Sequence, residues 1–195
     1  LGPFPGGEEH LEKSPFFFFL NTGKKSIEID IDSSEGRDYL AGLVQEFDVI
    51  VSSDTSESLE DRGLSFEQLH SWNKRTILTT VSGFGSFGPY SQYRSSHIVS
   101  CAVGGWAESC GVPDREPLQA GGNVTETLTG AYAAVATLIA IYGRNKHGSG
   151  EHVDVSAQEA TLAGAQLPTL FYEYRNLVLG RYSSVGSGAG GAFML

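Results

Sequence analysis

Glu126 is the carboxylate whose placement suggests chemistry first. Gly130 to Tyr142 is Ala-rich and helical in pattern, and Glu126 to Thr129 form the first turn of that helix. A helix N-terminus holds a carboxylate as its anion. Alone, that makes Glu126 an ordinary dipole-stabilising residue; as chemistry, it is also an anionic nucleophile. His97 opens an apolar stretch that ends at Val103. It is either a base or a partly buried, hydrogen-bonded imidazole. Lys24 and Lys25 are either phosphate contacts or solvated surface lysines, and SGFGSFGPY (82–90) is either a pocket wall or an ordinary turn. Cys101 and Cys110 lie in apolar, Gly-rich surroundings with no CxxC and no His/Cys cluster, which points to buried free thiols of a reducing cytosol and to no metal.

These residues need elements to hold them. SIEIDI (26–31) alternates apolar and polar residues and predicts a strand. Ser33 or Ser34 can cap the next helix, whose apolar stripe is Tyr39, Leu40, Leu43, Val44 and Phe47. DVIV (48–51) predicts a short buried strand, and Ser65-x-x-Gln68 a capping box that opens a short helix with Leu69 inward. TILTTV (76–81) predicts the next strand. Strands and helices alternating at this spacing imply right-handed βαβ units and a parallel sheet, with ligands at the carboxyl ends of the strands. SGFGSFGPY follows one such end. Further on, 97–103 reads as helix, 104–122 as a Gly/Pro loop, 151–155 as a short strand, and Ser156 as the start of another helix. The Gly-rich 186–191 reads as a mobile or ligand loop, and the Phe16–Phe19 run as a buried strand or dimer interface.

Composition narrows the classes. With 195 residues, 40% hydrophobic and 18% charged, the chain suits a soluble globular protein with one core, or one domain and part of a second. A net charge of −10 argues against nucleic acid as partner, because phosphate backbones demand clustered Lys and Arg. It leaves room for a small anionic ligand. The FFFFL run (16–20) is too short to span a bilayer and lacks the flanks of a signal peptide, so no membrane partner is expected. The chain begins at Leu1 and its only Met is Met194, so it reads as a piece of a longer protein.

Five motifs then fall in order between Phe16 and Ala163. They are NTGKKS (21–26) running into IEID, FDVIV (47–51) followed by LEDRGLSFEQL, TILTTV with SGFGSFGPY behind it, Gly122 to Gly130 with the Ala-rich helix, and GSGEHVDVS (148–156). Together they resemble the family III coenzyme A transferases of the CaiB/BaiF type, which include formyl-CoA transferase-like and α-methylacyl-CoA racemase-like members. The resemblance implies an α/β fold, a Rossmann-like parallel sheet with flanking helices that forms the large domain of that family, truncated here at both ends. It divides the chain into a loop and connecting strand (1–25), the transferase core (26–165) and the start of a linker to a missing small domain (166–195). It implies an interlocked homodimer in the full-length cytoplasmic protein, with a glutamine near the thioester supplied from before Leu1.

The resemblance also assigns roles. The family's acyl-transfer carboxylate, usually Asp, precedes by four residues the glycine matched by Gly130, which is where Glu126 stands. Acyl-CoA and a carboxylic acid would be the substrates, with coenzyme A moving between them through a mixed anhydride on Glu126 and no metal required. Asn21, Lys24, Gly83 and Phe84 are the implied CoA contacts. Ser53-Asp54 stand where relatives carry Asn-Phe, and Asp61 where a basic residue is common, with Arg62 adjacent. Two alternatives stay open: an acyl-CoA racemase using His97 and Glu126 as acid and base, and, motivated by those departures, a degenerate, non-catalytic domain of a tandem protein.

Overall fold

The computed structural model describes residue 2 and residues 4–181, so the 186–191 loop expected from the sequence lies outside the described residues. The chain divides into two compact units, residues 1–37 and 38–195.

In the first unit, two short 3-10 turns, Pro5–Gly7 and Leu11–Lys13, precede helix α1 (Pro15–Asn21). Ser14 caps α1 by accepting from the Phe17 N–H at 3.1 Å, and Pro15 sits at the first helical position, where its missing N–H costs nothing. That start signal overrides the strand preference of the phenylalanines. The run is helix, and Phe17, Phe18, Phe19 and Leu20 are each at least half exposed, which corrects the expectation of a buried strand.

SIEIDI is corrected as well, for it forms neither ladder nor helix. Alternation makes a strand only when a neighbouring backbone takes its N–H and C=O groups. Here the end of the motif serves a helix cap instead. The Asp30 carbonyl accepts from Ser33 N and Oγ, at 3.2 and 2.8 Å, and Ser33 Oγ accepts from the Gly36 N–H at 3.0 Å. Only glycine fits at position 36, because a Cβ would run into the Asp30 carbonyl. Helix α2 (Ser34–Glu46) follows from that cap; Val44 of the expected stripe is buried, whereas Tyr39 and Phe47 are exposed.

The second unit holds a parallel sheet ordered β1-β2-β3, with β1 at Val49–Ser52, β2 at Ile77–Ser82 and β3 at His152–Ser156. In chain order the helices are α3 (Ser56–Asp61), α4 (Phe66–Trp72), α5 (His97–Val103), α6 (Trp106–Ser109), α7 (Val124–His147), α8 (Ala157–Gly164) and α9 (Gln166–Arg175). β2 is central, and Thr76 to Thr80 are all within 1% of full burial. Among the described residues β1 pairs with β2 alone; Val51 is 66% exposed, and the strand is less buried than DVIV suggested.

α7 lies across β2 and β3. The Thr137 and Thr79 hydroxyls meet at 2.7 Å, and the buried Arg144 guanidinium donates to the Asp48 and Arg75 carbonyls, both at 3.2 Å. The turn into β3 depends on Gly150, whose N–H donates to the Lys74 carbonyl at 2.9 Å while its Cα passes so close to the Thr76 carbonyl that a Cβ has no room. The expected capping serines are observed: Ser65 accepts from Gln68 N and Ser156 from Glu159 N, each at 3.3 Å. The architecture is therefore α/β, a parallel sheet flanked by helices.

α7 is also the one helix among the described residues long and apolar enough to cross a membrane. Its contacts with β2 and β3 are those of a helix packed on a sheet.

Candidate active site

Glu126 lies in the first turn of α7, and its carboxylate faces α5. His97, the first residue of α5, places Nδ1 2.8 Å from Glu126 Oε2 and 2.7 Å from Thr125 Oγ1. The Thr125 hydroxyl in turn donates to the same Oε2 at 2.9 Å. On the far side of the ring, His97 Nε2 lies 3.0 Å from the Ala120 carbonyl, and the Cys101 thiol is 3.8 Å from the same nitrogen. Thr125 is buried and the His97 side chain is 14% exposed, while that of Glu126 is 53% exposed. The carboxylate thus reaches toward solvent from a cradle that is itself shielded.

Desolvation pushes the Glu126 carboxyl upward. The backbone N–H at the helix start, the Thr125 hydroxyl and the His97 imidazole act the other way and together hold it below the ordinary Glu value. The group is consequently an anion across the neutral range. His97 reaches this position because Ser100 and Cys101, one turn further along the same face of α5, are buried, and because α5 packs against both α7 and α8.

The loop after β2 is anchored separately. Asp154 on β3 accepts at Oδ2 from Ser86 N at 2.7 Å and Ser86 Oγ at 2.6 Å, and at Oδ1 from Thr80 Oγ1 at 3.2 Å. The Gly83 carbonyl accepts from Gln158 N at 3.0 Å, and a side chain at Gly83 would overlap Ser95. Phe84 packs against Tyr90 and Tyr93, with ring centroids 5.9 and 6.4 Å away. Gly83 and Phe84 therefore form a fixed aromatic corner at the carboxyl end of the central strand.

Asn21 and Lys24 belong to the first unit, where Lys24 Nζ donates to Asn21 Oδ1 at 3.1 Å; Lys24 is exposed and Asn21 half-buried. Asp54, one of the departures noted in the sequence, is engaged locally: its carboxylate accepts from Ser52 Oγ at 3.3 Å and lies 3.8 Å from Arg62 Nη1. A cavity of about 220 Å³ opens between Ser56, Phe66, Ser86 and His152, and neither Glu126 nor His97 lines it. No cluster of His, Cys, Asp and Glu that could hold a metal occurs among the described residues. Sequence reasoning missed Thr125 altogether. Its only signal was a hydroxyl beside a helix-start carboxylate, too common a pairing to single out.

Comparison with known proteins places this geometry in a family. The model of CoA-transferase family III matches residues 4–190. Succinyl-CoA–D-citramalate CoA-transferase of Chloroflexus aurantiacus is 35% identical over 144 residues, covering 74% of this chain and 36% of that protein. The BbsE subunit of succinyl-CoA:(R)-benzylsuccinate CoA-transferase of Thauera aromatica is 29% identical over 188 residues, covering 96% of this chain and 46% of its own length. Among solved structures, a CaiB/BaiF family protein from Brucella suis superposes with a TM-score of 0.83 at 28% identity, covering 93% of this chain and 47% of that one. The chain therefore spans between about a third and a half of the relatives it matches. It belongs to CoA-transferase family III, the CaiB/BaiF family.

Proposed function

We propose that the protein transfers coenzyme A between an acyl-CoA and a carboxylic acid, through a mixed anhydride formed on Glu126. The observation that carries this is a helix-start carboxylate kept anionic by its neighbours and still half exposed to an incoming thioester. Glu126 attacks the thioester carbonyl, the C–S bond breaks, and CoA leaves as thiolate. The thiolate then attacks the Glu126 carboxyl carbon, releases the donor acid and leaves CoA on the enzyme. The acceptor acid takes the CoA through the same two steps in reverse. Coenzyme A is thus substrate rather than resident cofactor.

The racemase alternative needs an acid and a base on opposite faces of the substrate α-carbon. A histidine and a glutamate joined at 2.8 Å act as one unit, which favours transfer. The intact nucleophile also speaks against a degenerate domain. Asn21, Lys24, Gly83 and Phe84 are our candidates for CoA contacts, and residues 26–165 for the transferase core, with 166–195 leading toward a small domain. We place the enzyme in the cytoplasm as a homodimer; the exposed apolar stripe on α7 suits a subunit contact.

The test is mass spectrometry of the full-length protein after incubation with a panel of acyl-CoAs. A covalent adduct on the Glu126 peptide is expected, and Glu126→Gln should lose both adduct and exchange while keeping its fold. Full turnover by Glu126→Gln would overturn the assignment.

A further inference from the structure

We propose that His97 and Thr125 form an oxyanion site for the steps in which the Glu126 carboxyl carbon is attacked. This rests on the transferase function above.

The proton positions follow from what each partner can do. The Ala120 carbonyl only accepts, so His97 Nε2, 3.0 Å away, carries a hydrogen. An ionised carboxylate also only accepts, so Nδ1, 2.8 Å from Glu126 Oε2, carries one too. His97 is then an imidazolium. Its Nδ1–H is shared between Oε2 and the lone pair of Thr125 Oγ1 at 2.7 Å, and the Thr125 hydroxyl spends its own hydrogen on Oε2 at 2.9 Å. This is the assignment that satisfies all four contacts with Glu126 as an anion.

The two oxygens of Glu126 thereby differ. Both side-chain donors fall on Oε2, and no side-chain hydrogen bond falls on Oε1 among the described residues. Oε1 is therefore the oxygen that attacks the thioester. In the resulting anhydride Oε1 bridges to the acyl group and Oε2 is the glutamyl carbonyl oxygen, with both donors already in place. When the CoA thiolate attacks the carboxyl carbon, the carbonyl electron pair moves onto Oε2. That oxyanion forms between an imidazolium N–H and a hydroxyl, in a cradle where His97 is largely shielded from water. Collapse breaks the Cδ–Oε1 bond, expels the donor carboxylate with Oε1 as one of its two oxygens, and leaves the glutamyl-CoA thioester with Oε2 as its carbonyl oxygen. The acceptor acid meets the same site in the reverse direction. No proton is gained or lost in any step.

The role predicts which intermediate accumulates. Removing a donor slows attack on the glutamyl carbon far more than the first attack on the thioester. With a 1:1 acyl-CoA donor, rapid acid quench and intact mass should show the unsubstituted protein as the CoA adduct, heavier by CoA. His97→Ala and Thr125→Val should shift it toward the acyl adduct and lower kcat, by roughly a hundredfold to a thousandfold for His97→Ala, with KM for acyl-CoA changed only a few-fold. Thr125→Ser, which keeps the hydroxyl, should restore both rate and adduct ratio. His97→Asn, which keeps a neutral N–H near the Nδ1 position, should fall between. Wild-type kcat in a folded His97→Ala or Thr125→Val protein would overturn the proposal. So would a lost rate with an unchanged adduct ratio. Should His97→Ala not fold, the Thr125→Val and Thr125→Ser pair decides alone. An unsubstituted protein with no adduct at Glu126 would instead remove the transferase function itself.

Discussion

At the scale of single residues, Glu126 is defined by three groups that no composition argument reaches: its own helix-start N–H, the Thr125 hydroxyl and the His97 ring. A carboxyl held below its ordinary value stabilises the fold above the unfolded value of 4.5 and loses that contribution as pH falls through the folded value. Glu126→Gln should therefore lower the melting temperature at neutral pH, and the gap between the two proteins should close in acid below pH 4.5. A gap that stays constant, measured by circular dichroism melts across that range, would show that the His97 and Thr125 contacts do not favour the anion. The helix-start placement of Glu126 was legible from the Ala-rich run behind it. The approach of His97 was not, because the two residues are 29 apart in the chain and meet only through the packing of α5 on α7.

Elements explain why the motifs have the residues they do. In GSGEHVDVS, Gly150 lets the backbone pass against the Thr76 carbonyl, and Asp154 ties the loop after β2 to β3 through Ser86. Gly150→Ala should destabilise the protein by more than the usual glycine-to-alanine change within a helix or strand, by about 2 kcal/mol or more, since backbone rather than a mobile side chain must move. Asp154→Ala removes the acceptor for three donors and should cost about 2 kcal/mol. Urea unfolding of each variant checks these values, and wild-type midpoints would refute them. The strands TILTTV and DVIV and the capping serines were readable because their signals are local. SIEIDI failed as a strand for a non-local reason, the lack of a partner backbone among the described residues. α3, α6 and α9 were missed because six-, four- and ten-residue helices with mixed polarity carry little periodic signal.

For the molecule as a whole, the feature that stands out is the outer face of α7, where Val135, Leu138, Ile139 and Tyr142 are 55 to 76% exposed and repeat at helical spacing. The 195-residue chain prepared alone should self-associate through this face despite its net charge of −10, and Ile139→Glu should reduce the association seen by light scattering. An Ile139→Glu chain that associates as strongly as the parent would place the contact elsewhere. By itself the sequence determined the α/β class, the order of the parallel strands' motifs, the family they resemble and the place of Glu126 at a helix start, where our proposal puts the reactive carboxylate. Each of these rests on short-range pattern, such as periodicity, a cap three residues away or a motif four residues before a glycine. Only the tertiary structure decided which oxygen of Glu126 takes both side-chain hydrogen bonds, which imidazole faces it and which hydroxyl completes its cradle. Those are distances between side chains far apart in the chain, and they come into being only when the α5 and α7 faces pack.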